Sequence, residues 1–212
     1  MSSNQENPET TENPDLVTGP DGLLRCRWAA STPEYSAYHD REWGQVVHGE
    51  RALYERFTLE AFQSGLSWLT ILRKREGFRA AFGQFDADAV ARFGEQDVER
   101  LLADPSIVRN RAKIRAAIAN AKAVVRLRET AHGGLDGLVW SFAPDRPDTR
   151  SAPQTFADVP RATPQSAALA KELKRNGFIF VGPTTAYAAM QACGVVNDHL
   201  AGCHVRASPP VG

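Results

Sequence analysis

Apolar side chains recur at intervals of three or four residues along most of the chain, which is the spacing of an amphipathic helix. In ERALYERFTLEAFQSG, Leu53, Phe57 and Ala61 lie on one helical face, and Gly65 ends the segment. A similar apolar stripe runs through RAKIRAAIANAKAVVRLRE at Ile114, Ile118, Ala121 and Val125. No stretch of alternating apolar and polar residues indicates a strand, so the pattern predicts an all-α fold.

Capping residues and prolines mark where further helices begin and end. Ser67 is an N-cap residue for SWLTILRKREGFRAAF, and Thr163 precedes a first-turn proline in PQSAALAKELKRN. A later helix is expected from about Pro183 to Gly194. Five prolines between residues 143 and 164 predict a long irregular connection there.

Length and composition limit the class of protein. The chain of 212 residues is long enough for one domain, and its 42% apolar content can form a core. No apolar run approaches the roughly 20 residues of a membrane span, and no apolar leader begins the sequence. Only three cysteines are present, which argues against a disulfide framework. We therefore expect a cytoplasmic protein without membrane association, and we separately expect it to be a monomer.

Charge is distributed unevenly, although Lys plus Arg equals Asp plus Glu at 25 each. Residues 1–22 contain five acidic residues, no basic residue and few large apolar groups, so we expect a disordered acidic tail there. The domain is expected to extend over residues 23–204, followed by a flexible tail at 205–212. Without the acidic tail, 25 basic residues face 20 acidic ones, and this net charge of +5 is compatible with a polyanionic partner without requiring one.

Two pairs of potential metal ligands lie at opposite ends of the chain, Cys26 with His39 and His199 with Cys203. Two thiolates and two imidazoles form the tetrahedral set that a structural zinc ion accepts, and they leave no open coordination position for chemistry. The alternative is that the cysteines are buried apolar residues and the histidines are hydrogen-bonded, because the two pairs are too far apart for an ordinary zinc finger. His204 directly follows Cys203 and could compete as a ligand.

Glu60 departs from the apolar pattern, because it falls on the helical face of Leu53 and Phe57. An unpartnered buried carboxylate is costly. Glu60 therefore has a partner that the sequence does not reveal, lies at a boundary, or accepts N–H groups of a ligand. Aromatic residues are concentrated nearby in the sequence at Trp28, Tyr35, Tyr38, Trp43 and Trp68. Core packing accounts for some of these rings, but rings beside a carboxylate also suit a planar, electron-poor ligand.

The segment LKRNGFIFVGPTTAYAAMQACG has the pattern of two helices joined by a short apolar link that contains Gly182. Free N–H groups at the start of the second helix form an anion site, to which Thr184 and Thr185 can add hydroxyl donors for a phosphate. Basic side chains nearby are Lys171, Lys174 and Arg175. The alternative is an ordinary helical hairpin with a solvated basic face.

These features, taken together and in this order, resemble the 3-methyladenine DNA glycosylase I family, a bacterial branch of the helix–hairpin–helix glycosylases. The matching stretches are RCRW at 25–28, YHDREWG at 38–44, LEAFQSGLSW at 59–68, VRNRAKI at 108–114, WSF at 140–142 and GFIFVGPTTAYAAMQACGVVNDHLAGC at 177–203. No single stretch is specific, but their joint occurrence from Leu24 to Cys203 is. The resemblance implies an all-α, two-lobed helix–hairpin–helix fold.

The resemblance also implies a metal site and a base pocket. The ligands of a structural zinc ion that ties the N- and C-terminal segments together fall on Cys26, His39, His199 and Cys203. The glutamate that binds the base falls on Glu60. The residues that stack on the base or line its pocket fall on Trp28, Tyr35, Tyr38, Gln63 and Trp68.

Contacts with DNA follow from the same resemblance. Gly65 and Leu66 match the element that plugs the duplex once the base has left. The hairpin that grips DNA phosphates falls on residues 181–185, which makes Gly182, Thr184 and Thr185 the expected DNA-binding residues. The expected partner is alkylated double-stranded DNA, and the expected location is the bacterial nucleoid.

The implied activity is hydrolysis of the N-glycosidic bond of 3-methyladenine by a monofunctional base-excision repair enzyme that flips the base out of the duplex. Asn197 occupies the place where related glycosylases carry a catalytic aspartate, and Asp198 is one position off. A cationic methylated base leaves without being protonated, so the substrate accounts for the missing aspartate. The alternative is a non-catalytic, zinc-stapled module that binds damaged DNA. A zinc hydrolase is disfavoured because four protein ligands fill the metal.

Three features depart from the pattern of this family. Ala61 replaces the glycine expected after the glutamate, and its methyl group could narrow the pocket. His204 stands where another residue type is more usual. The acidic N-terminal tail is not part of the family pattern. None of these departures removes a residue with an implied role.

Overall fold

The computed structural model describes residues 13–144 and 152–207, and most of these residues are helical. The α-helices are α1 (Pro33–Arg41), α2 (Glu50–Gln63), α3 (Trp68–Ala81), α4 (Ala87–Ala91), α5 (Glu95–Ala103), α6 (Arg111–Thr130), α7 (Gly134–Trp140), α8 (Pro164–Arg175), α9 (Pro183–Ala192) and α10 (His204–Ala207). Short 3-10 turns occupy Arg27–Ser31, Gly83–Phe85 and Phe156–Asp158. The prediction of a helical fold is therefore confirmed. Among the described residues, no helix is long and apolar enough to cross a membrane.

Two short strands near the N-terminus depart from the all-α expectation. β1 (Leu16–Thr18) pairs antiparallel with β2 (Leu24–Cys26). Strands of three residues are too short to produce a recognisable alternation in the sequence, so the pattern did not predict them. This hairpin also differs from the disordered tail expected over residues 1–22, since the described part of the chain is folded from residue 13 onward. Residues 1–12 lie outside the described residues.

The C-terminal boundaries also differ from the sequence expectation. α10 continues the folded chain three residues beyond the expected boundary at residue 204. Residues 208–212, the rest of the expected flexible tail, lie outside the described residues. The irregular connection expected over residues 143–164 contains a 3-10 turn at Phe156–Asp158, and residues 145–151 lie outside the described residues. The division into two lobes stays a prediction.

Segments near the two ends of the described part of the chain meet in a small apolar cluster that is separate from the main core. Its buried members are Leu16, Cys26, Leu200, Cys203 and Val205. Trp28, Leu24 and Val159 pack against it. The cluster therefore joins the β-hairpin to the segment that follows α9. Two of its members, Cys26 and Cys203, are expected metal ligands.

α2 is the central helix of the main core, because its side chains are buried on most of its circumference. Leu53, Phe57, Leu59 and Phe62 are all fully or almost fully buried. The hydroxyl of Tyr54 donates a hydrogen bond to the carbonyl oxygen of Ala117 in α6 at 3.0 Å. A polar residue on the second half of α2 is therefore surrounded by protein, which determines the environment of Glu60.

α6 holds the C-terminal end of α2 through a buried lysine. Asn110 caps α6 by accepting a hydrogen bond from the N–H of Lys113 at 3.1 Å. The Nζ of Lys113 donates to the carbonyl oxygens of Phe62 and Ser64 at 2.9 and 2.6 Å. These carbonyls are at the end of α2, where intrahelical donors run out. Lys113 therefore fixes the start of the turn that leads into α3, and its burial lowers its pKa.

α8 and α9 form the helical hairpin that the sequence predicts. The side chain of Thr163 caps α8 by accepting from the N–H of Ser166 at 3.1 Å. The link between the helices is fixed by Asn120 of α6, whose amide donates to the carbonyl oxygen of Ile179 at 3.1 Å and accepts from its N–H at 2.7 Å. Phe180 follows with a φ of +59°, a value rarely adopted by non-glycine residues. The link therefore depends on the support of α6.

Replacing Asn120 with alanine should lower the free energy of unfolding by about 2 kcal/mol, because the change leaves both backbone polar groups of Ile179 without their partner. Asn120 is 1% exposed, so water cannot readily replace the amide. Urea denaturation measures the loss. Lys122→Ala, at an exposed position of the same helix, is the control and should cost less than about 0.5 kcal/mol. Equal effects of the two variants would contradict the proposed support of the link.

Candidate active site and metal centre

A cleft of about 380 Å³ opens where the N-terminal helices meet α2, α3 and α9. Its lining residues are Trp28, Ser31, Tyr35, Tyr38, Trp43, Glu60, Gln63, Trp68, Ala188 and Gln191. The structure thus brings together all six residues that the sequence proposed for a base pocket, although they come from four separate elements. The roles of these residues stay predictions. The volume of the cleft is in the range of small-molecule sites.

Glu60 provides the acidic group of the cleft. α2 places it where only 7% of the residue is exposed, and this burial raises the pKa of its carboxyl group to about 8. The positive charge of Arg56, one helical turn earlier, acts in the opposite direction but does not offset the burial. Among the described residues, no hydrogen bond or ion pair reaches the Glu60 carboxylate. Its oxygens can therefore accept hydrogen bonds from a ligand in the cleft.

Arg56 contacts Glu42 and Tyr38 and makes no ion pair with Glu60 among the described residues. Its Nη2 donates to Glu42 at 3.2 Å, and the guanidinium lies 5.9 Å from the centre of the Tyr38 ring. Glu42 also accepts two hydrogen bonds from Arg75 of α3, at 2.5 and 3.0 Å. This network ties α2 and α3 to the segment after α1 and fixes the Tyr38 wall of the cleft.

Aromatic rings form the walls of the cleft. Tyr38 and Trp68 lie with ring centres 5.3 Å apart, at an angle of 44°. Trp28 makes edge contacts with Tyr35 at 5.7 Å and with Trp43 at 5.2 Å. The Nε1 group of Trp68 is buried without a hydrogen-bond partner among residues 13–144 and 152–207. Rings around a carboxylate are typical of sites for planar cations.

The sequence did not propose four of the cleft residues as site residues: Ser31, Trp43, Ala188 and Gln191. Trp43 could have been included, because it belongs to the same aromatic-rich run as Tyr35 and Tyr38. Gln191 is a lone amide in the apolar run AAMQACG, which is a weaker signal. The family resemblance implies only phosphate contacts for α9, whereas in the structure α9 also forms one wall of the cleft.

Ala61 does not narrow the cleft, contrary to the expectation from the sequence. It is buried, but the residues that line the cleft do not include it. The reason is helical geometry, because the residue after Glu60 points about 100° away around α2. The methyl group therefore packs elsewhere and leaves the space around the carboxylate unchanged.

The expected DNA-binding residues lie in two turns. Gly65 and Leu66 are in the turn between α2 and α3, flanked in sequence by Gln63 and Trp68 of the cleft. Gly65 has a φ of +81°, which favours glycine, and Leu66 is 41% exposed although it is a large apolar residue. Gly182 caps α9, and Thr184 and Thr185 lie in its first turn. Their roles in DNA binding stay predictions.

The VNDH run does not direct a carboxylate into the cleft. Asn197 uses its side-chain oxygen to accept from the N–H of His199 at 3.2 Å, and its carbonyl oxygen accepts from Arg206 at 2.8 Å. Asp198 is buried against α9, where it accepts hydrogen bonds from Tyr187 and Gln191. Neither residue is among those that line the cleft.

A second site is formed by Cys26, His39, His199 and Cys203, which are all buried. Their ligand atoms all lie within 4.8 Å of one another. The Nε2 of His39 is 3.1 Å from the Nδ1 of His199 and 3.5 Å from the sulfur of Cys203. β2, α1 and the segment between α9 and α10 supply the four side chains. Two thiolates and two imidazoles at these distances fit a tetrahedral metal ion.

The remaining nitrogen of each ring is held by a hydrogen bond that orients the other nitrogen toward the cluster. The Nδ1 of His39 contacts Asp40 at 2.8 Å, and the Nε2 of His199 contacts the carbonyl oxygen of Trp43 at 3.0 Å. Burial raises the pKa of Asp40, but hydrogen bonds from Arg25, His39 and His204 outweigh it and hold the value at about 2. Such outer partners are common at metal sites. His204 contacts Asp40 at 3.1 Å, so it lies behind His39 and not within the set of four.

Comparison with known proteins identifies the family. The family model described as methyladenine glycosylase matches residues 28–207. DNA-3-methyladenine glycosylase 1 of Escherichia coli strain K12 is 48% identical over 181 residues, which cover 85% of this chain and 96% of that protein. The chain therefore belongs to the methyladenine glycosylase family, and the resemblance drawn from its sequence motifs is confirmed.

Solved structures share the fold described above. A crystal structure of 3-methyladenine DNA glycosylase I matches with a TM-score of 0.81 and 47% sequence identity, over 85% of this chain and 98% of that one. A variant of a 3-methyladenine DNA glycosylase I in complex with 3-methyladenine also gives a TM-score of 0.81, with 33% identity over 87% of this chain and 98% of that one.

The burial of Glu60 should make the stability of the protein depend on pH. Its pKa of about 8 in the folded chain exceeds the ordinary value of 4.5, so the folded state retains a proton that the unfolded state loses between these values. This contribution to stability is complete below pH 4.5 and is lost as the pH rises through 8. Glu60→Gln should therefore be more stable than the wild type at pH 9, by roughly 2–4 kcal/mol, and about equally stable at pH 4.

Thermal unfolding of the two proteins across this pH range measures the effect, with a difference in Tm of several degrees expected at the alkaline end. Glu76→Gln is the matched control, because Glu76 has an 80% exposed side chain on α3. That variant should follow the wild type at every pH. A difference in Tm between Glu60→Gln and the wild type that does not change with pH would contradict the raised pKa of Glu60.

Proposed function

We propose that the chain is a monofunctional DNA glycosylase that hydrolyses the N-glycosidic bond of 3-methyladenine in alkylated DNA. The observation that carries this proposal is the buried carboxylate of Glu60 in a cleft walled by aromatic rings. The family membership and the relatives named for 3-methyladenine support it. The base reaches the cleft by flipping out of the duplex, since the bond to be broken is inaccessible within the stack.

Charge explains how the cleft selects its substrate. Methylation at N3 gives the adenine ring a positive charge while it is attached to the sugar. This cation lies against Trp68 and Tyr38, where ring faces favour a cation, and its charge favours the ionised form of Glu60, which is protonated below about pH 8 in the empty cleft. A neutral adenine carries no positive charge that would stabilise the ionised form of the buried carboxylate. Binding therefore favours the damaged base over the normal one.

The same charge simplifies the chemistry. A water molecule attacks C1′ of the sugar, the bond from C1′ to N9 breaks, and its electron pair stays on the ring and neutralises the cation. The proton of the attacking water is released to solvent. No general acid is needed for the leaving group, which agrees with Asn197 and Asp198 both pointing away from the cleft. The products are free 3-methyladenine and an abasic site.

Two turns are proposed to hold the DNA. Leu66, exposed beside the cleft, fills the gap in the duplex that the flipped base leaves, and the positive φ of Gly65 gives the turn its shape. Gly182, Thr184 and Thr185 begin α9, where free N–H groups and a hydroxyl bind a phosphate. This makes α8 and α9 a helix–hairpin–helix element. The net charge of +5 over residues 23–212 supports a polyanionic partner.

We further propose that Cys26, His39, His199 and Cys203 hold a structural zinc ion. The supporting observation is the set of four buried side chains with ligand atoms within 4.8 Å of one another. With four protein ligands the ion supplies no site for substrate, and it stabilises the junction of the two chain ends. A cytoplasmic, monomeric protein in the bacterial nucleoid stays a prediction from the sequence.

The second candidate function is a non-catalytic module that binds damaged DNA with the same cleft. A complete cleft with an unpaired carboxylate is equally suited to binding without turnover, so activity has to be measured. A hydrolase with zinc in its active site is the less favoured third class, because the cluster is buried and its four positions are filled by side chains.

Incubation of the protein with alkylated duplex DNA should release free 3-methyladenine, resolved from other methylated bases by chromatography. Glu60→Gln should lower the rate of release by roughly 100-fold, because the neutral amide cannot balance the charge of the bound ring. Glu76→Gln, at an exposed position, should keep the wild-type rate.

Each alternative outcome of this assay has a defined meaning. No release by the folded, metal-loaded wild type would contradict the enzyme and favour the binding module. Normal release by Glu60→Gln would show that the base is bound elsewhere or through the rings alone. Circular dichroism shows whether Glu60→Gln is folded, so that a loss of base release is not caused by unfolding.

The purified protein should contain one zinc ion per chain by atomic absorption, and Cys203→Ala should lose it. Loss of the metal should lower Tm by roughly 10 °C, as expected for a ligand bound far above its dissociation constant. Cys193→Ala removes a buried cysteine outside the cluster and should retain the ion. A folded, metal-free protein without activity would indicate a catalytic metal and overturn the structural role.

A further inference from the structure

Gln191 differs from the other cleft residues because its amide is tied to a buried carboxylate behind the cleft wall. Its Nε2 donates a hydrogen bond to Oδ2 of Asp198 at 2.8 Å. The hydroxyl of Tyr187 donates to the same oxygen at 2.5 Å. Asp198 is 4% exposed and is not among the residues that line the cleft. The carboxylate therefore acts on the cleft only through the residues that it contacts.

This contact fixes which end of the Gln191 amide faces away from Asp198. A carboxylate oxygen accepts hydrogen bonds, so it attracts the NH₂ end of the amide and repels the carbonyl end. Tyr187 is one helical turn before Gln191 on α9, and it uses its single hydroxyl proton on the same oxygen. The carbonyl oxygen of Gln191, a residue that lines the cleft, is therefore the end that remains to accept a hydrogen bond from another donor.

We infer that Asp198 is a positioning residue for base recognition, which through Gln191 presents a carbonyl acceptor to the flipped base beside Glu60. The inference rests on the proposed function, because it assumes that the cleft holds the methylated base. An adenine ring carries N–H donors on its exocyclic amine. A reversed amide would place its own N–H donors against them, so the orientation of Gln191 decides whether it attracts or repels the base.

The geometry also gives Asp198 a role different from that of a catalytic aspartate. It lies one position after Asn197, with its carboxylate turned toward α9 and away from the cleft. It touches neither the base nor the sugar in the proposed reaction. Its effect on activity should therefore disappear once Gln191 is gone, which is the property that the test uses.

The test compares Gln191→Met, Asp198→Asn and the double variant, in the full-length, metal-loaded protein. Isothermal titration calorimetry with free 3-methyladenine measures binding, and single-turnover assays on alkylated duplex DNA measure release. Each single variant should weaken binding and slow release by roughly tenfold, the effect of one hydrogen bond of ordinary strength. The double variant should be no worse than Gln191→Met alone.

Gln96→Met, at an exposed position of α5, is the matched control and should behave as the wild type. Zinc content is measured for every variant, because Asp198 neighbours His199. Gln191→Met changes no residue of the metal cluster or its neighbours, so it tests the acceptor even where Asp198→Asn fails to fold. If Asp198 contributed only to folding, Asp198→Asn would have a lower Tm, and its losses of binding and release would add to those of Gln191→Met in the double variant.

Wild-type binding and release by Gln191→Met would overturn the inference, and so would additive losses in the double variant. Failure of the proposed function is distinguishable from either result. A wild type that binds 3-methyladenine but never releases it from DNA would contradict the enzyme, while the binding series would still decide the role of Asp198. A wild type that neither binds the free base nor releases it from DNA would overturn both.

Discussion

The burial of the Glu60 carboxylate is the constraint on which the rest of the site depends. A charge in these surroundings is stable only beside a positive partner, and burial alone raises the pKa of the group to about 8. The nearest cation, Arg56, is held by Glu42 and the ring of Tyr38. The empty cleft therefore keeps Glu60 protonated up to about pH 8. A cationic ligand supplies the missing positive charge and favours ionisation of the carboxyl group.

The metal centre and the cleft share a wall, so the structural site has consequences for the candidate active site. The ring of Trp28 lies 5.2 Å from the ring of His39, and the ring of Trp43 lies 4.6 Å from that of His199. Both tryptophans line the cleft. The side chains of the candidate metal cluster therefore contact two aromatic rings of the cleft wall.

Much of the fold could be predicted because helical spacing is a local property, visible within segments such as α2 and α6. The cleft residues from α1, α2 and α3 could be proposed from residue types and from the family resemblance. The wall from α9 could not, because only packing against Asp198, from a segment beyond the helix, orients Gln191. The β-hairpin was not visible in the sequence for a different reason, because its short strands carry no periodic signal.

A substrate that carries its own positive charge changes what the protein has to supply. In the proposed reaction the leaving group departs without a proton, so an acid near the sugar would gain little. A cleft that stabilises the cationic base in the flipped position raises the rate of excision more than such an acid would. The contacts of this segment agree with that interpretation. The side chain of Asn197 accepts a hydrogen bond from the N–H of His199, and Asp198 accepts one from Gln191. This segment contributes His199 to the candidate metal cluster and, through Asp198, contacts the cleft wall. In the proposed reaction, selectivity for the cationic base comes from the desolvated Glu60 carboxylate. The same desolvation raises the pKa of Glu60 and lowers the stability of the folded chain at alkaline pH. Base recognition and alkaline destabilisation therefore have the same physical cause.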